Sequence, residues 1–319
     1  MKHLIFIVAY NHENFITKVL ERLPQSLQKE DYEILIIDDA SIDKTFELAN
    51  KWSKKNDTVN IKILKNIKIY GYGGNQKLGM KYAIENNFDT LTLLHGDGQY
   101  APEIIHDLIN FHVQNKSSLT LGSRMINKKD ALKGKMPIYK FIGNIILTKT
   151  QNLILKTNLS EFHTGYRVYS INTLSNCKFF LNSNNYHFDT EIIIQHIANN
   201  YKISEFAIPT YYGDEISYVN GLHYAFNIIK QTIQYKLQKL GIFYSEKYNH
   251  IIEQYEDKSN FYSTHKLAIS KVNSNSSIID IGSSNASYLN FLKRKKNCYI
   301  KTVNKYRNLK YTVKLIMIK

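Results

Sequence analysis

Short apolar runs alternate with amphipathic stretches from the start of the chain to about residue 210. The apolar runs predict buried strands over residues 4–9, 33–37, 60–65, 90–94, 118–122, 168–170 and 203–208. The amphipathic stretches predict helices over residues 13–23, 44–54, 75–86, 138–155, 186–198 and 222–240. This alternation is typical of an α/β fold, in which a mostly parallel sheet carries helices on both faces.

The composition is that of a globular protein. The 319 residues are 43% hydrophobic and 13% aromatic, enough for a sizeable core and for two domains. A net charge of +15 suits acidic partners such as anionic lipid headgroups or sugar nucleotides, although the scattered lysines fit compositional bias equally well. We expect no nucleic-acid partner. Cys177 and Cys298 lack metal-ligand spacing, so the sequence favours a reducing cytosol over a disulfide framework or a zinc site.

The first residues resemble the start of a signal peptide. The apolar run is short, lacks a small-residue cleavage site and passes into the polar residues 11–14. We therefore interpret it as the first strand. No stretch approaches the ~20 consecutive apolar residues that cross a bilayer, so any membrane contact is expected to be peripheral.

Two predicted strands end in polar side chains. One is followed by Asp38 and Asp39, and another runs into His95, Asp97 and Gln99. Ligands of open α/β sheets lie beyond the carboxyl ends of the strands, so these residues indicate a nucleotide and a divalent cation. The alternative for each turn is that its carboxylates only cap the following helix, as Ser41 or Asp43 would before residues 44–54.

A glycine-rich turn and several basic residues lie near these strand ends. Gly71, Gly73 and Gln76 stand at a predicted helix start, where free backbone N–H groups favour phosphate. Four basic residues could pair with phosphate oxygens or could be solvated surface charges: Arg124, Lys135, Lys140 and Arg167.

Five segments in order resemble glycosyltransferase family 2, nearest the branch of dolichol- and polyprenyl-phosphate sugar synthases. They are residues 9–13, 36–45, 71–75, 95–103 and 122–124. The resemblance extends to about residue 220 and implies the GT-A fold. It also implies an inverting, metal-dependent transfer of a sugar from a nucleoside-diphosphate sugar to a lipid-phosphate or saccharide acceptor.

The resemblance assigns the donor residues one by one. It implies that Asp38 and Asp39 bind the nucleoside and that Ala9, Tyr10 and Glu13 border the base.

The metal residues follow from the same resemblance. Asp97 matches the second acid of the Asp-x-Asp metal motif, and Gln99 matches a further metal contact. His95 stands where the family has the first acid. Imidazole is a better ligand for Mn²⁺ than for Mg²⁺, so the resemblance leaves the choice between these two ions open.

The acceptor residues are implied further along the chain. Arg124 matches a residue that grips the acceptor phosphate, and Lys140 falls near a second basic position. His163 and Arg167 belong to a turn of the family in which Glu161 replaces the usual Asp, as base or as orienter. A hydroxyl acceptor needs a general base, for which the candidates are Glu161, His163, Asp189 and Glu191. A phosphate acceptor needs none, because it is already anionic.

We expect three parts: a transferase domain over residues 1–220, an amphipathic helical linker over 221–250, and a fragment over 251–319. The last part resembles the opening of a class I S-adenosylmethionine methyltransferase through residues 262–265 and 280–286, with Asn304 where a ribose-binding acid is expected. It is too short for that domain and is interpreted as an inactive remnant. We expect a cytoplasmic protein, peripheral at the inner face of the plasma membrane. The rival hypotheses are a non-catalytic sugar-nucleotide-binding scaffold and a methyltransferase.

Overall fold

Each strand predicted for the first 220 residues is present in the computed structural model, which describes residues 1–28, 31–213, 220–249, 264–281, 292 and 296–303. Together these strands form one seven-stranded sheet. They are β1 (His3–Ala9), β2 (Tyr32–Asp38), β3 (Ile61–Lys65), β4 (Thr90–His95), β5 (Leu119–Ser123), β6 (Arg167–Ser170) and β7 (Ile203–Ala207).

The order of the strands fixes where a ligand can bind. It is β3-β2-β1-β4-β6-β5-β7, and β6 runs antiparallel to β4 and β5 while the other pairs are parallel. The chain leaves β1 towards β2 and β3 on one side and returns to β4 on the other. The carboxyl end of β1 is therefore a switch point, the place where open α/β sheets bind ligands. The predicted fold class is confirmed.

Nine helices are described in this unit. They are α1 (Ile16–Glu21), α2 (Thr45–Lys55), α3 (Tyr72–Glu85), α4 (Ile105–Gln114), α5 (Lys128–Lys133), α6 (Ile138–Leu155), α7 (Ile171–Leu174), α8 (Phe188–Ala198) and α9 (Gly221–Lys239). The bounds predicted for α6 are confirmed. α1 begins later than predicted, because the N–H groups of His12 and Glu13 bond to the side chains of Thr45 and Asp43 instead. α4, α5 and α7 were not predicted.

The sheet is covered on both faces. Along β1, Leu4, Phe6 and Val8 join one buried cluster, while Ile5 and Ile7 join a second cluster on the opposite face. Successive strand residues point to opposite faces, so a nearly continuous apolar strand is what a doubly covered sheet requires.

The described contacts divide the chain into two compact units, residues 1–249 and 250–319. α9, expected to serve as a linker, packs against α6 and α8 within the first unit. The second unit contains α10 (Thr264–Lys271) and the parallel pair β8 (Ser277–Ile281) and β9 (Tyr299–Val303). Residues 262, 263, 282–286 and 304, on which the methyltransferase resemblance depends, lie outside the described residues, so that interpretation stays a prediction.

Both cysteines are free thiols. Among the helices of the described ranges, none is long and apolar enough to span a bilayer.

Candidate active site

The two acidic strand ends lie at the same edge of the sheet. Asp38 on β2 pairs with Ala9, and His95 on β4 pairs with Val8. β1 stands between them, so they are separated by two strand spacings, about 10 Å. This separation suits the two ends of one small molecule.

Asp38 offers one open carboxylate oxygen. Its Oδ1 accepts from the backbone N–H of Ser41 (3.0 Å) and from the Ser41 hydroxyl. Its Oδ2 is buried with no hydrogen-bond partner in the described chain and lies 3.8 Å from Lys65 Nζ. Burial raises the pKa of Asp38 despite the opposing effect of Ser41 and Lys65. A ligand donor would satisfy Oδ2, since an unpaired buried acceptor is costly.

Asp39 organises the loop beside it. Its Oδ1 accepts from Asn66 Nδ2 (2.8 Å) and from the N–H of Tyr70 (2.9 Å), and its Oδ2 accepts from the N–H of Gly71 (2.8 Å). Asp38 and Asp39 therefore differ: Asp38 keeps one buried oxygen without a partner in the described chain, and Asp39 shapes the turn. Lys44, not Ser41 or Asp43, is the N-cap residue of α2, and Asp43 Oδ1 accepts from the N–H of Thr45, the first residue of the helix (2.9 Å).

The residues expected to border the base lie beside this edge. Ala9 is buried, and its carbonyl accepts from the N–H of Asp39 at 2.9 Å. Glu13 accepts from the N–H of Lys44 at 3.1 Å, and Tyr10 is half-buried.

The glycine turn is a packing device. Gly71 has φ +81°, and a Cβ there would lie 2.7 Å from the carbonyl oxygen of Asn184. The N–H of Gly73 donates to that oxygen at 2.8 Å, and Gln76 Nε2 donates to Asp189 Oδ1 at 3.0 Å. The donors that we expected to hold phosphate are already engaged within the protein. The phosphate role of Gly71, Gly73 and Gln76 stays a prediction, and it would require these internal hydrogen bonds to be exchanged.

His95 and Asp97 face each other across a short gap. His95 Nδ1 lies 3.9 Å from Asp97 Oδ2, and Asp97 Oδ1 accepts from the N–H of Gln99 at 3.0 Å. Burial lowers the pKa of His95 to about 4, so the imidazole is neutral at pH 7.

The tautomer of His95 follows from its other contact. Its Nε2 lies 3.0 Å from the hydroxyl of Tyr72, and that hydroxyl donates its single proton to Asp189 Oδ2 at 2.8 Å. Tyr72 must therefore accept from His95 Nε2–H. This leaves the lone pair on Nδ1, on the side of Asp97.

The His95–Asp97 pair fits a divalent cation. Metal–ligand bonds of ~2.1 Å let two ligand atoms lie up to about 4.2 Å apart, which accommodates the 3.9 Å gap. Among the described residues, no group of three or more His, Cys, Asp or Glu could hold a metal.

Three neighbours of this pair were not expected as partners of the metal position. Tyr72 and Asp189 orient His95, and His12 carries a buried Nδ1 without a partner in the described chain. Burial lowers the pKa of His12, while the nearby charge of Asp97 opposes that shift. Asp189, given above only as a candidate base, lies in the first turn of α8 and bonds to Gln76 of α3. Tyr72 lies inside the glycine motif, and only its position beside β4 reveals its role.

Arg124 and Glu161 form a buried ion pair. Arg124 donates from its backbone N–H to Glu161 Oε2 (2.7 Å) and from Nε to Oε1 (3.1 Å), and its Nη2 donates to the same carboxylate. Asn144 Nδ2 also donates to Oε1 (2.8 Å). Burial alone would raise the pKa of Glu161, but the charge of Arg124 and these hydrogen bonds lower it.

Of the other basic residues, Lys140 lies near this ion pair and Lys135 lies at the surface. Nη1 of Arg124 donates to the Tyr212 hydroxyl at 3.0 Å, and Lys140 Nζ stands 5.2 Å from the centroid of the Tyr212 ring. Lys135 is exposed.

Arg167 is internal. It is 0% exposed and donates to the carbonyls of Thr164 (2.8 Å) and Asp189 (3.0 Å). Its guanidinium also lies 3.4 Å from Asp189 Oδ1. These contacts hold the backbone of Thr164 and Asp189 in place, and a catalytic role for Arg167 stays a prediction.

The four candidate bases are tied to other groups. Glu161 is paired with Arg124, Asp189 with Tyr72, Gln76 and Arg167, and Glu191 with Lys247 (2.6 Å). His163 Nδ1 lies 3.0 Å from the Tyr224 hydroxyl, and burial lowers the pKa of His163 to about 4. Its Nε2 is buried without a partner in the described chain.

The comparison with protein families decides the class of this site. Residues 4–176, more than half of the chain, match the model described as glycosyl transferase family 2. The chain belongs to that family.

Individual relatives agree. The chain is 28% identical over 249 residues to the UDP-N-acetylglucosamine--dolichyl-phosphate N-acetylglucosaminyltransferase of Methanococcus voltae, covering 74% of this chain and 96% of that protein. It is 29% identical over 161 residues to the dolichol-phosphate mannosyltransferase of Pyrococcus furiosus, covering 48% of this chain and 43% of that protein. The crystal structure of glucosyl-3-phosphoglycerate synthase from Mycobacterium tuberculosis with Mn²⁺, UDP and glucosyl-3-phosphoglycerate matches with a TM-score of 0.51 and 12% identity, covering 76% of this chain and 81% of that one. This last likeness concerns the fold alone. The chain is a glycosyltransferase.

Proposed function

We propose that this glycosyltransferase moves a sugar, with inversion, from a nucleoside-diphosphate sugar to the phosphate of a lipid-linked polyprenyl acceptor. The observation that carries the phosphate acceptor is the engagement of the candidate bases. Glu161, Asp189 and Glu191 are held by other groups, and the pKa of His163 is about 4. A hydroxyl acceptor would need one of them to take its proton at neutral pH, whereas a phosphate oxygen is already charged.

The names of the relatives support the same acceptor. The Methanococcus voltae and Pyrococcus furiosus proteins are named as transferases to dolichyl phosphate, and an undecaprenyl-phosphate mannosyltransferase of Micrococcus luteus is 27% identical over 177 residues. In this proposal the open oxygen of Asp38 accepts from the nucleoside, and Asp39 keeps the neighbouring turn in shape.

A divalent cation would be held by His95 Nδ1, Asp97 Oδ2 and the side chain of Gln99. Bound there, it would neutralise the charge that develops on the departing diphosphate. Manganese suits a site in which an imidazole replaces a carboxylate. Tyr72 and Asp189 keep the Nδ1 lone pair of His95 directed at the ion.

On the acceptor side, the negative charge of Glu161 offsets the positive charge of Arg124. The remaining Nη1 proton of Arg124 and the nearby Lys140 are the cationic groups that can meet an incoming phosphate. Glu161 then orients Arg124 and takes no proton. A single displacement from the opposite face of the sugar inverts the anomeric carbon.

A lipid-linked acceptor requires the protein to work at a membrane surface. The two free cysteines suit the reducing cytoplasm, so we place the protein at the inner face of the plasma membrane.

The experiment uses matched acceptors. UDP-, GDP- and dTDP-sugars are incubated with Mn²⁺ and either citronellyl phosphate or citronellol, and the product is followed by mass spectrometry and its anomeric configuration by NMR. We expect inverted product from the phosphate and none from the alcohol. Equal transfer to the alcohol or to a saccharide would overturn the phosphate acceptor. Donor binding without turnover for every sugar nucleotide would favour a non-catalytic scaffold.

A further inference from the structure

The guanidinium of Arg124, the arginine on the acceptor side, is covered and fully engaged. The side chain is 8% exposed, and each of its three guanidinium nitrogens donates a hydrogen bond. Nε and Nη2 donate to Glu161, Nη2 also donates to the carbonyl of His163, and Nη1 donates to the hydroxyl of Tyr212 at 3.0 Å. A phosphate can pair with a guanidinium through two hydrogen bonds only if one of these partners gives way. This step rests on the proposed function, which brings a phosphate to Arg124.

Glu161 is not the partner that gives way. It is 0% exposed, and it also accepts from the backbone N–H of Arg124 (2.7 Å) and from Asn144 Nδ2 (2.8 Å). Its release would leave a buried carboxylate without its counter-charge, which is strongly destabilising. The carbonyl of His163 belongs to the main chain, and the residues on either side of it are 0% exposed.

Tyr212, on the loop after β7, is the partner that can be exchanged. Its side chain is half-buried, and the neighbouring Tyr211 is 61% exposed, so this part of the loop lies at the surface. The Tyr212 hydroxyl is a neutral acceptor, whereas a phosphate oxygen is charged and binds a guanidinium more strongly. Lys140 Nζ lies 5.2 Å from the centroid of the Tyr212 ring, so a phosphate in this position would also meet a second cation.

The main chain beside Tyr212 can stay in place while the side chain turns. The Tyr212 N–H donates to the carbonyl oxygen of Gly134 at 3.0 Å. Gly134 packs closely on the loop, because a Cβ added to it would lie 2.0 Å from the carbonyl oxygen of Thr210. Rotation about the Cα–Cβ bond of Tyr212 is then enough to free Nη1 of Arg124. The turned ring loses contact with the small apolar cluster that contains Met136, and the charge of the phosphate offsets that loss.

We propose that Tyr212 selects the acceptor by occupying the position of its phosphate on Arg124. Without an acceptor, the phenol oxygen accepts from Nη1, and a phosphate oxygen replaces it on binding. A neutral hydroxyl acceptor offers the guanidinium no more than the phenol does, so it does not displace the ring. Tyr212 thereby favours a phosphate over an alcohol.

The test compares two neighbouring tyrosines. Tyr212→Phe removes the hydroxyl that competes with the acceptor, and Tyr211→Phe is the matched control on the same loop. Binding of citronellyl phosphate to the full chain is measured by calorimetry with Mn²⁺ and without a sugar nucleotide, so that no turnover occurs. We expect Tyr212→Phe to bind it about tenfold more tightly than wild type, because no hydrogen bond to a charged group has to be broken first. Tyr211→Phe should bind it like wild type.

Kinetics provide a second readout. Tyr212→Phe should lower the KM for citronellyl phosphate about tenfold, and it should leave kcat and the KM for the sugar nucleotide within about twofold of wild type. The wild type should bind citronellyl phosphate and not citronellol.

The outcomes separate this inference from the proposed function. Weaker binding by Tyr212→Phe would overturn it, because the hydroxyl would then hold the phosphate itself. Equal binding by the wild type and both variants, or no binding by any of them, would also overturn it, as would wild-type binding of citronellol as tight as that of the phosphate. Tighter binding by Tyr212→Phe alone supports it even if no transfer is detected. Transfer to citronellyl phosphate with unchanged binding would overturn the exchange at Tyr212 and leave the proposed function in place.

Discussion

Two parts of the proposed site use charge in opposite ways. One is the donor edge, which contains Asp38, His95 and Asp97. The other is the acceptor cluster, which contains Arg124 and Glu161. At the donor edge, Asp38 and Asp97 each keep an oxygen turned away from their main hydrogen bonds, Asp38 Oδ2 without a partner in the described chain and Asp97 Oδ2 towards His95. At the acceptor cluster, Arg124 and Glu161 satisfy each other. At the strand ends an oxygen of Asp38 lacks a partner in the described chain, whereas the charges of Arg124 and Glu161 offset each other.

Between Asp97 and Glu161 this difference follows from burial, whereas Asp38, also 0% exposed, is held by Ser41 and lies near Lys65. Glu161 is 0% exposed, and a lone charge at that depth would be strongly destabilising. Asp97 has a side chain that is 20% exposed, so its carboxylate keeps contact with solvent. Strand-end motifs reveal which charged groups reach the edge of a sheet, but only the tertiary partner reveals whether the charge is available.

The largest expected effect is a loss of turnover on substitution of Asp97, at the donor edge. Asp97→Asn keeps the shape and the acceptor for the Gln99 N–H, but it removes the charge that faces His95. We expect metal-dependent turnover to fall about a thousandfold, because the charge on the leaving diphosphate loses its counterion. The melting temperature without metal should hardly change.

Asp130→Asn is the control for Asp97→Asn, since the Asp130 side chain on α5 is 53% exposed and lies 3.9 Å from Lys133. Turnover and melting temperature should both be retained. If Asp97→Asn kept wild-type turnover, the donor edge would not be the metal side of the site.

At the acceptor cluster, the next largest effect should be a loss of unfolding free energy on substitution of Glu161. Glu161→Gln leaves the guanidinium of Arg124 buried without its counter-charge, and breaking a buried pair in this way costs about 3–5 kcal/mol of unfolding free energy. Urea denaturation measures the loss.

A double variant separates charge from packing. Arg124→Gln combined with Glu161→Gln should recover part of the loss, because no isolated charge remains. Equal losses in the single and double variants would show that the pair is not neutralised in the folded protein.

The fold was largely predictable because its elements are encoded locally. β1, β2 and β4 are short apolar runs, and the bounds of α6 follow from its pattern. α4 was missed although its buried residues Ile105, Leu108, Ile109 and His112 have helical spacing. No helix was predicted after the motif at residues 95–103.

The position of the site was predictable from the sequence, but the hydrogen-bond partners of its residues were not. Asp38 and His95 were placed at one edge from their strands alone. The capture of the Gly73 N–H by Asn184, and of Gln76 by Asp189, joins segments more than a hundred residues apart. Local pattern contains no signal for such pairs, so the phosphate turn was predicted where the structure has a packing contact.

His112 on α4 should make the stability of the protein depend on pH. His112 Nδ1 and Nε2 lie 2.9 Å from the hydroxyls of Thr120 and Ser170, and burial lowers its pKa to about 4. The neutral ring stabilises the fold above the unfolded pKa of ~6.5, and this stability is lost as pH falls from there towards 4. His112 should add about 1.4 kcal/mol per pH unit to the slope in that range.

His112→Gln is compared with wild type by urea denaturation at several pH values. The variant should be less stable at pH 7 and should have a shallower slope between pH 6.5 and 4. Parallel slopes would mean that folding does not shift the pKa of His112.

The smallest expected effect concerns a residue that touches neither substrate. Tyr72→Phe removes the acceptor that fixes the Nε2–H tautomer of His95, so the Nδ1 lone pair is no longer held towards Asp97. Losing such an outer partner typically weakens metal binding by about 10–100-fold. Electron paramagnetic resonance of free Mn²⁺ measures this without any turnover. Tyr82→Phe is the matched control, because the Tyr82 hydroxyl bonds to Glu33 on β2, away from His95. If both variants bound Mn²⁺ like wild type, Tyr72 would support only packing, and the orientation of His95 would have to come from Gly165 and Tyr100, which also lie against its ring.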